Sequence, residues 1–418
     1  MRVRILVLGS GAREHAIVMA LLRDATSHDI IAAPGNAGTA GIAENVALDP
    51  ANPSVVAKFA ADQDVDLVVV GPEAPLVAGV ADRLRKEGIP VFGPNKAAAA
   101  LEGSKSFAKY IMSRAGVPTG AWEQVSTVDE LEKALDTVGS PYVVKADGLA
   151  AGKGVLVTED RDAAIAHATH YLQDGTVLLE EYLAGPEVSL FFLSDGQRVV
   201  PLSPAQDYKR ARDGDEGPNT GGMGAYSPVP WLPADFIDEV TRLIAQPTID
   251  EMAANNTPFV GLLYCGLVMT DDGVKVIEFN ARFGDPETQS VLARLESDLA
   301  PLLLAAATES LDTDTALSFS DSAAITVVLA SEGYPENPQT GRALSGLEDA
   351  EAVDGVHIAH AATAQTDTGL IATGGRVLSV VAVAGSFAAA RSAAYEALGK
   401  ISLDGSHYRK DIGAIAAS

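Results

Sequence analysis

Short apolar runs, each closed by a glycine-bearing turn, recur through the first hundred positions of the chain. Val3 to Leu8, Ile30 to Ala33, Asp66 to Val70 and Pro90 to Phe92 are the candidate strands. They end in Gly9-Ser10-Gly11, Pro34-Gly35-Asn36, Gly71-Pro72-Glu73 and Gly93-Pro94-Asn95. Near-continuous apolar strands separated by helix-like stretches predict a parallel sheet covered on both faces. Ligands of such sheets sit beyond the carboxyl ends of the strands, where these turns gather. Any one turn can be a plain strand ending; four together predict a crevice.

The pattern changes near Lys96, where an alanine-rich helix breaks at Gly103-Ser104-Lys105. A small α/β unit follows. It reads as a strand from Tyr142 to Lys145, a loop of small residues, a strand from Gly154 to Thr158, helical spacing from Arg161 to Leu172, and a strand from Val177 to Leu183. Longer strands begin at Glu187 and are interrupted by a polar loop from Asp207 to Tyr226, a length that a compact domain seldom carries without a functional reason. The remainder reads strand, hairpin, strand, helix: Ala323 to Leu329 is β-rich, Thr373-Gly374-Gly375 is a tight turn, and Ser386 to Ile401 is helical. These shifts divide the chain into an N-terminal domain over 1–103, a two-lobed domain over 104–322 and a small C-terminal α/β domain over 323–418. Within the middle part the small lobe covers about 121–186 and the large lobe about 187–322.

Length agrees: 418 residues exceed one compact core. No stretch approaches the roughly 18 uninterrupted apolar residues of a membrane helix. The apolar run at Ile5 to Leu8 is too short for a signal-peptide core. A single cysteine, Cys265, leaves nothing to form an internal disulfide, so the cytoplasm is the expected compartment. With 30 Lys+Arg against 56 Asp+Glu the formal charge is −26, which argues against nucleic acid as a partner.

Four segments carry candidate chemistry. Gly9-Ser10-Gly11-Ala12-Arg13-Glu14 follows a strand, as a dinucleotide-binding turn does, but Glu14 stands where the third glycine of that fingerprint belongs. Such a turn can still offer backbone N–H groups to a phosphate, with Arg13 adding a fork; the plain reading is a structural turn. Lys145-Ala146-Asp147-Gly148-Leu149-Ala150-Ala151-Gly152-Lys153-Gly154 suggests a lid whose backbone closes over phosphates, against a merely flexible hairpin. It is not a Walker A loop, since Gly154 occupies the magnesium-binding Ser/Thr position. Glu180-Glu181-Tyr182-Leu183 ends an apolar strand and can present backbone groups to an adenine edge, with Glu187 near the ribose; alone, acids at a strand end are usually just solvated. The last segment, from Val276 to Thr288, sets Glu278 and Asn280 two apart on a strand and so on one face. A carboxylate and an amide together suit magnesium, which takes few protein ligands. Arg282 extends that face toward a transferring phosphoryl group.

In this order the segments resemble the ATP-grasp superfamily and, more closely, its phosphoribosylamine–glycine ligase (glycinamide ribonucleotide synthetase) family. The resemblance rests on Gly-Ala-Arg-Glu-His-Ala at 11–16, the segment 145–154, Pro-Asn-Thr-Gly-Gly-Met-Gly-Ala-Tyr-Ser-Pro at 218–228, Arg-Phe-Gly-Asp-Pro-Glu-Thr-Gln at 282–289 and Tyr-Arg-Lys-Asp-Ile-Gly at 408–413. It implies a Rossmann-like N-terminal substrate domain, a two-lobed ATP-grasp core holding ATP, and a C-terminal domain. The implied reaction joins glycine to 5-phosphoribosylamine through a glycyl phosphate, releasing ADP and phosphate, in purine biosynthesis. Lys105, Lys145, Gly148, Gly152, Lys153 and Gly154 are then expected at the phosphates, and Glu180, Glu181, Tyr182, Leu183 and Glu187 at the nucleoside. Glu278 and Asn280 are expected at Mg2+ or Mn2+. Arg282, Lys145 and Lys153 are the catalytic candidates; Gly11, Arg13, Glu14, Asp207, Asn219, Thr220, Arg282, Gly284 and Asp285 are the substrate candidates. The expected assembly is a monomer or weak dimer. The sequence departs from the superfamily in having no acid between Tyr264 and Met269, and from the family in having Ala12 where glycine is frequent. The competing readings are another ATP-grasp carboxylate–amine ligase or carboxylase, a nicotinamide-dependent oxidoreductase, and a nucleotide sensor without turnover.

Overall fold

The structure is a computed structural model that describes residues 2–148, 154–314 and 316–417. Five parallel strands open the chain in the spatial order Glu44–Asn45, Asp29–Pro34, Arg4–Gly9, Leu67–Val70, Val91–Phe92. Alternation along the central strand splits its side chains between two cores. Ile5 and Val7 pack with Ile17, Leu21, Leu292 and Leu303, while Leu6 and Leu8 pack with Val56, Val80 and Leu84. Both faces are therefore covered, and the helix Ala12–Leu22 starts directly above the first strand's carboxyl end.

Two helices follow, Lys96–Gly103 and Lys105–Ala115. Ser104 ends the first and caps the second, its hydroxyl accepting the Phe107 N–H at 3.2 Å. The small lobe is an antiparallel sheet in the order Trp122–Val125, Val177–Glu181, Tyr142–Ala146, Val155–Thr158. Val144 and Leu179 point into a core under the helices Val128–Val138 and Arg161–Tyr171. Period two then sends Lys145 and Glu180 to the opposite face. The large lobe is a second antiparallel sheet in the order Val199–Pro201, Glu187–Asp195, Val260–Thr270, Gly273–Asn280.

Three expectations need correction. The strand beginning at Val177 stops at Glu181, so Tyr182 and Leu183 lie outside it. The 207–226 stretch is no open loop: Arg210–Arg212 pairs with Glu216–Asn219, and Gln206–Asp207 with Gly224–Ser227. Backbone pairing there satisfies the peptide groups of a composition too polar and glycine-rich to signal strands. Thr373-Gly374-Gly375 links the strand Gly369–Ala372 to Arg376–Ala384, which belongs to a different sheet, while the hairpin itself is formed by Thr363–Thr366 and Gly369–Ala372. A last five-stranded sheet runs Gln206–Asp207, Gly224–Ser227, Ala323–Ala330, Arg376–Ala384, Val356–His360, with the helix Phe387–Leu398 packed on it.

Candidate active site

Where the small lobe faces the large one, four side chains form a buried relay. Lys145 Nζ stands 3.1 Å from Glu180 Oε1, and Lys109 Nζ 2.8 Å from Glu180 Oε2. Lys145 also donates to the carbonyl of Ile277 at 3.1 Å, on the other lobe. That carbonyl sits at a bulge, since Gly266 pairs with Glu278 and Leu267 with Val276, leaving Ile277 as the extra residue. Lys109 donates to Thr119 Oγ1 at 2.9 Å, which donates to the Val276 carbonyl at 2.7 Å. Burial alone would raise the Glu180 carboxyl, yet Lys145 and Lys109 carry it below the usual carboxylate range. Two ammonium groups on one carboxylate leave a local excess of positive charge. Lys105 adds to it: its ammonium donates to the Gly148 carbonyl at 2.9 Å, and burial pushes its pKa down while Glu278 pulls it up. Asp147, unremarked in the sequence, fastens the helix Lys105–Ala115 to the small lobe by accepting the Lys105 N–H at 2.6 Å and the Ser106 hydroxyl at 2.5 Å.

Beyond the bulge the strand pairs regularly, Glu278 with Gly266 and Asn280 with Tyr264. Glu278 and Asn280 thus share one face, while Phe279 between them is buried on the other. The charge of Glu278 raises the pKa of both Lys105 and Lys209 against the burial that lowers them. Among the described residues no cluster of three His, Cys, Asp or Glu side chains suits a metal. One carboxylate and one amide on a shared face fit a hard cation whose remaining ligands are water and phosphate oxygens.

Arg282 departs from expectation. The strand ends at Asn280, and beyond it the guanidinium turns to the N-terminal domain, where Nε lies 3.2 Å from Glu73 and Nη2 3.0 Å from Glu102. Burial opposes its charge, but Glu102, Glu73 and Glu287 raise its pKa. It therefore staples the N-terminal domain to the large lobe. Arg13 is held as well, with Nε 2.6 Å from Glu14 and Nη1 donating to the Phe283 carbonyl at 3.0 Å. Glu14 folds back over the first turn and accepts the Gly11 N–H at 2.6 Å. A Cβ at Gly71 would come within 2.1 Å of Glu14 Oε1, so two bare glycine turns, at Gly9–Gly11 and Gly71, make room for this carboxylate. The turn expected to cradle a phosphate with Gly11 and Arg13 already carries an internal anion.

On the opposite wall Asp207 has a side chain only 7 % exposed, 3.9 Å from Lys209 Nζ, and Lys209 reaches Glu187 at 2.5 Å. Burial pushes the Asp207 carboxyl up to about 7, with Lys209 opposing and Glu287 and Glu187 adding to the shift. Thr220 is used locally, donating to the Lys209 carbonyl at 2.9 Å. The neighbouring Asn219 ends the strand Glu216–Asn219 and is exposed. The C-terminal motif anchors this wall. Arg409, 1 % exposed, forks onto Asp411 at 2.8 and 2.6 Å, reaches Asp215 at 2.7 Å, and lies 4.8 Å over the Tyr208 ring. Asp285 pairs with Arg376 at 3.0 Å. Gly284 lies beneath Glu287, whose Oε1 accepts the Tyr264 hydroxyl at 2.6 Å.

The structure thus brings Lys105, Lys145, Gly148, Glu180, Glu278 and, across the cleft, Glu187 and Asp207 to the junction of the lobes. Glu181 is turned to the lobe's edge, accepting the Ala121 N–H at 2.9 Å, and Tyr182 is exposed. Gly154 follows directly on a segment, including Gly152 and Lys153, that lies outside the described residues. Sequence reading missed Glu73, Glu102, Lys109, Thr119, Asp147, Lys209, Tyr264 and Glu287. Most meet partners far away in the chain, and no local spacing announces them.

Three family profiles match in tandem: the phosphoribosylglycinamide synthetase N domain over residues 3–102, the ATP-grasp (A) domain over 103–288 and the C domain over 324–415. The phosphoribosylamine–glycine ligase of Leifsonia xyli is 62% identical over 99% of this chain and 100% of its own length. That of Streptomyces coelicolor is 54% identical over 99% of both. A crystal structure of phosphoribosylamine–glycine ligase from Thermotoga maritima superposes with a TM-score of 0.85 at 32% identity, covering 98% of this chain and 100% of that one. The lysine–glutamate relay, the acid–amide strand face and these matches from end to end have one meaning: the chain belongs to the phosphoribosylglycinamide synthetase family, the phosphoribosylamine–glycine ligases.

Proposed function

We propose that the site at the lobe junction activates glycine with ATP and passes the glycyl group to 5-phosphoribosylamine. The observation that carries this is Glu278 and Asn280 on one strand face, opposite a lysine cluster whose charge exceeds that of its single buried carboxylate.

A carboxylate is a poor acyl donor because its oxygen leaves badly. A glycine carboxylate oxygen attacks the terminal phosphorus of ATP, the bond to the bridging oxygen breaks, and ADP departs. The amine nitrogen of phosphoribosylamine then attacks the acyl carbon, phosphate leaves with the bonding electrons, and the nitrogen releases a proton. Lys145 and Lys105 hold phosphate oxygens and neutralise charge that develops on them; Lys109 keeps Glu180 ionised and Lys145 aimed. Lys153, Gly152 and Gly154 join this group on sequence likeness. The strand end at Glu180–Leu183, with Glu187, takes the nucleoside. Glu278 and Asn280 would hold Mg2+ or Mn2+, which would supply charge neutralisation at the phosphates. Arg282, fixed by Glu73 and Glu102, keeps the N-terminal domain against the large lobe, where Gly11, Arg13, Glu14, Asn219, Thr220, Gly284 and Asp285 bound the phosphoribosylamine side.

No described helix is long and apolar enough to cross a membrane. We read the enzyme as cytoplasmic and as a monomer or weak dimer. The test is ADP formation with glycine and phosphoribosylamine omitted in turn. Full turnover requires both, and ADP release that ignores glycine sinks the reading.

A further inference from the structure

A cavity of about 430 Å³ lies in the seam between the N-terminal and C-terminal domains. Among the described residues its walls come from the stretches 15–42 and 351–360, and neither ATP-grasp lobe borders it. Met19, Leu22 and Ile42 line the N-terminal side, and Ile358 the C-terminal side. Leu22 and Ile42 remain 45 % and 40 % exposed, so apolar surface stands bare at the mouth. A concave site of this size at a domain boundary, mainly apolar with a few fixed polar groups, has the character of a small-molecule pocket.

The polar groups are two imidazoles, His15 and His360. Burial holds His360 at about 4, and burial with the charges of His360 and His357 holds His15 at about 3, so both rings are neutral near pH 7. His15 Nδ1 accepts the His360 backbone N–H at 2.8 Å, which puts the ring proton on Nε2 and makes that atom a donor. His360 Nδ1 is 2.9 Å from Thr363 Oγ1, leaving Nε2 as its second polar atom. The rings come together beneath Gly38, where a Cβ would stand 2.4 Å from one and 2.6 Å from the other.

Charge narrows the choice of ligand. Arg23 and Glu351 are the charged residues of the lining, one of each sign, and both have local work. Arg23 donates to the Leu292 carbonyl at 2.5 Å, and Glu351 accepts the Ile358 N–H at 3.3 Å. A polyanion finds no surplus of cations here. Among the described residues no three His, Cys, Asp or Glu side chains are grouped to hold a metal. What matches the lining is an uncharged ring, with its faces on the apolar walls and its polar edge on the imidazole nitrogens.

We propose that this cavity binds a neutral heteroaromatic molecule with an amide-like hydrogen-bonding edge, the chemistry shared by nucleobases and nicotinamide. The site is separate from those for ATP and the substrates, and it bridges two domains. Asn36 Nδ2 donates to the His360 carbonyl at 2.7 Å and to the Ser10 carbonyl at 2.9 Å, so the strand bearing one imidazole is tied to the turn that precedes the helix Ala12–Leu22.

The experiment uses the full chain saturated with ADP and magnesium, so that the nucleotide site is filled, and labelled with 13C at histidine Cε1. There are 7 histidines, and His15→Gln and His360→Gln assign the two that matter. Nicotinamide and hypoxanthine are titrated separately, which distinguishes the two sources of the ring, alongside toluene, a ring without a polar edge. At least one heteroaromatic should saturate near about 1 mM or below, the affinity open to a fragment of that size. It should shift the His15 and His360 signals and leave His167 and His170 in place. Toluene should bind about tenfold more weakly, the loss of about one hydrogen bond. Ile42→Trp, which fills the mouth from an exposed position, should weaken the probe by about tenfold or more while kcat and every KM stay within about twofold. If that variant does not fold, Leu22→Trp is judged by the same criteria. No saturation by either heteroaromatic, toluene binding as tightly, or shifts that survive the filled mouth each overturn the proposal.

Discussion

Lys145 and Glu278 stand on different lobes, and each has a measurable signature. Lys145→Met leaves Glu180 with Lys109 as its remaining ion-pair partner among the described residues and removes a donor from the phosphate wall. The KM for ATP should rise by roughly tenfold or more, and an unchanged value in ATP-concentration series would make Lys145 structural. Glu278→Ala should cut metal-dependent kcat about a thousandfold while far-UV circular dichroism stays native; near-normal turnover across a metal titration would remove the metal assignment. The shared face of Glu278 and Asn280 was legible because strand alternation is a local rule, and Phe279 between them is buried on the other face. Arg282 was not. The same rule was extended past Asn280, where the strand has ended, and its partners Glu73 and Glu102 lie about two hundred positions away. Glu14 misled in the opposite sense, since the residue that spoils a dinucleotide fingerprint is the one that fills the turn.

At the level of elements, the paired strands between Gln206 and Ser227 depend on the far end of the chain. Arg409 gathers Asp215, Asp411 and the Arg210 carbonyl around one guanidinium, and the Gly413 N–H donates to the Tyr208 hydroxyl at 3.0 Å. Arg409→Ala should therefore lower unfolding free energy by about 3 kcal/mol through a cavity and lost hydrogen bonds. Hydrogen exchange should quicken in 207–226 before it does elsewhere, and uniform exchange would show that the motif does not brace this wall. The apolar strands of the N-terminal sheet were readable from hydrophobic runs. The strands around Gly214, Gly217 and Gly222 were not, because their stability comes from this remote clamp and not from side chains of high strand propensity.

Across the whole molecule, histidines mark the seam between the N-terminal and C-terminal parts. His15 Nδ1 accepts the His360 N–H at 2.8 Å, and their rings are 5.7 Å apart. Burial, reinforced by His360 and His357, pushes His15 down to about 3; burial takes His360 to about 4, and burial with Arg23 takes His357 to about 4. These groups stay neutral when folded but charge near pH 6.5 when unfolded, so the unfolded state binds more protons between those limits. Stability is full above about pH 6.5 and falls as pH drops toward the folded values. His15 alone should remove about 2 kcal/mol between pH 7.5 and 5, and His15→Gln should flatten the urea-midpoint profile over that range. A wild-type profile without an acid limb would contradict neutral burial.

The sheet that joins Gly224–Ser227 to Ala323–Ala330 has a consequence for how the gene can be divided. A chain stopped at 322 would keep Gly224–Ser227 but lose the strand hydrogen-bonded along it, baring a row of unpaired amides and carbonyls next to the catalytic cleft. The last hundred residues are thus a missing plank of the active-site wall, and an excised catalytic piece would be sticky before it was inactive.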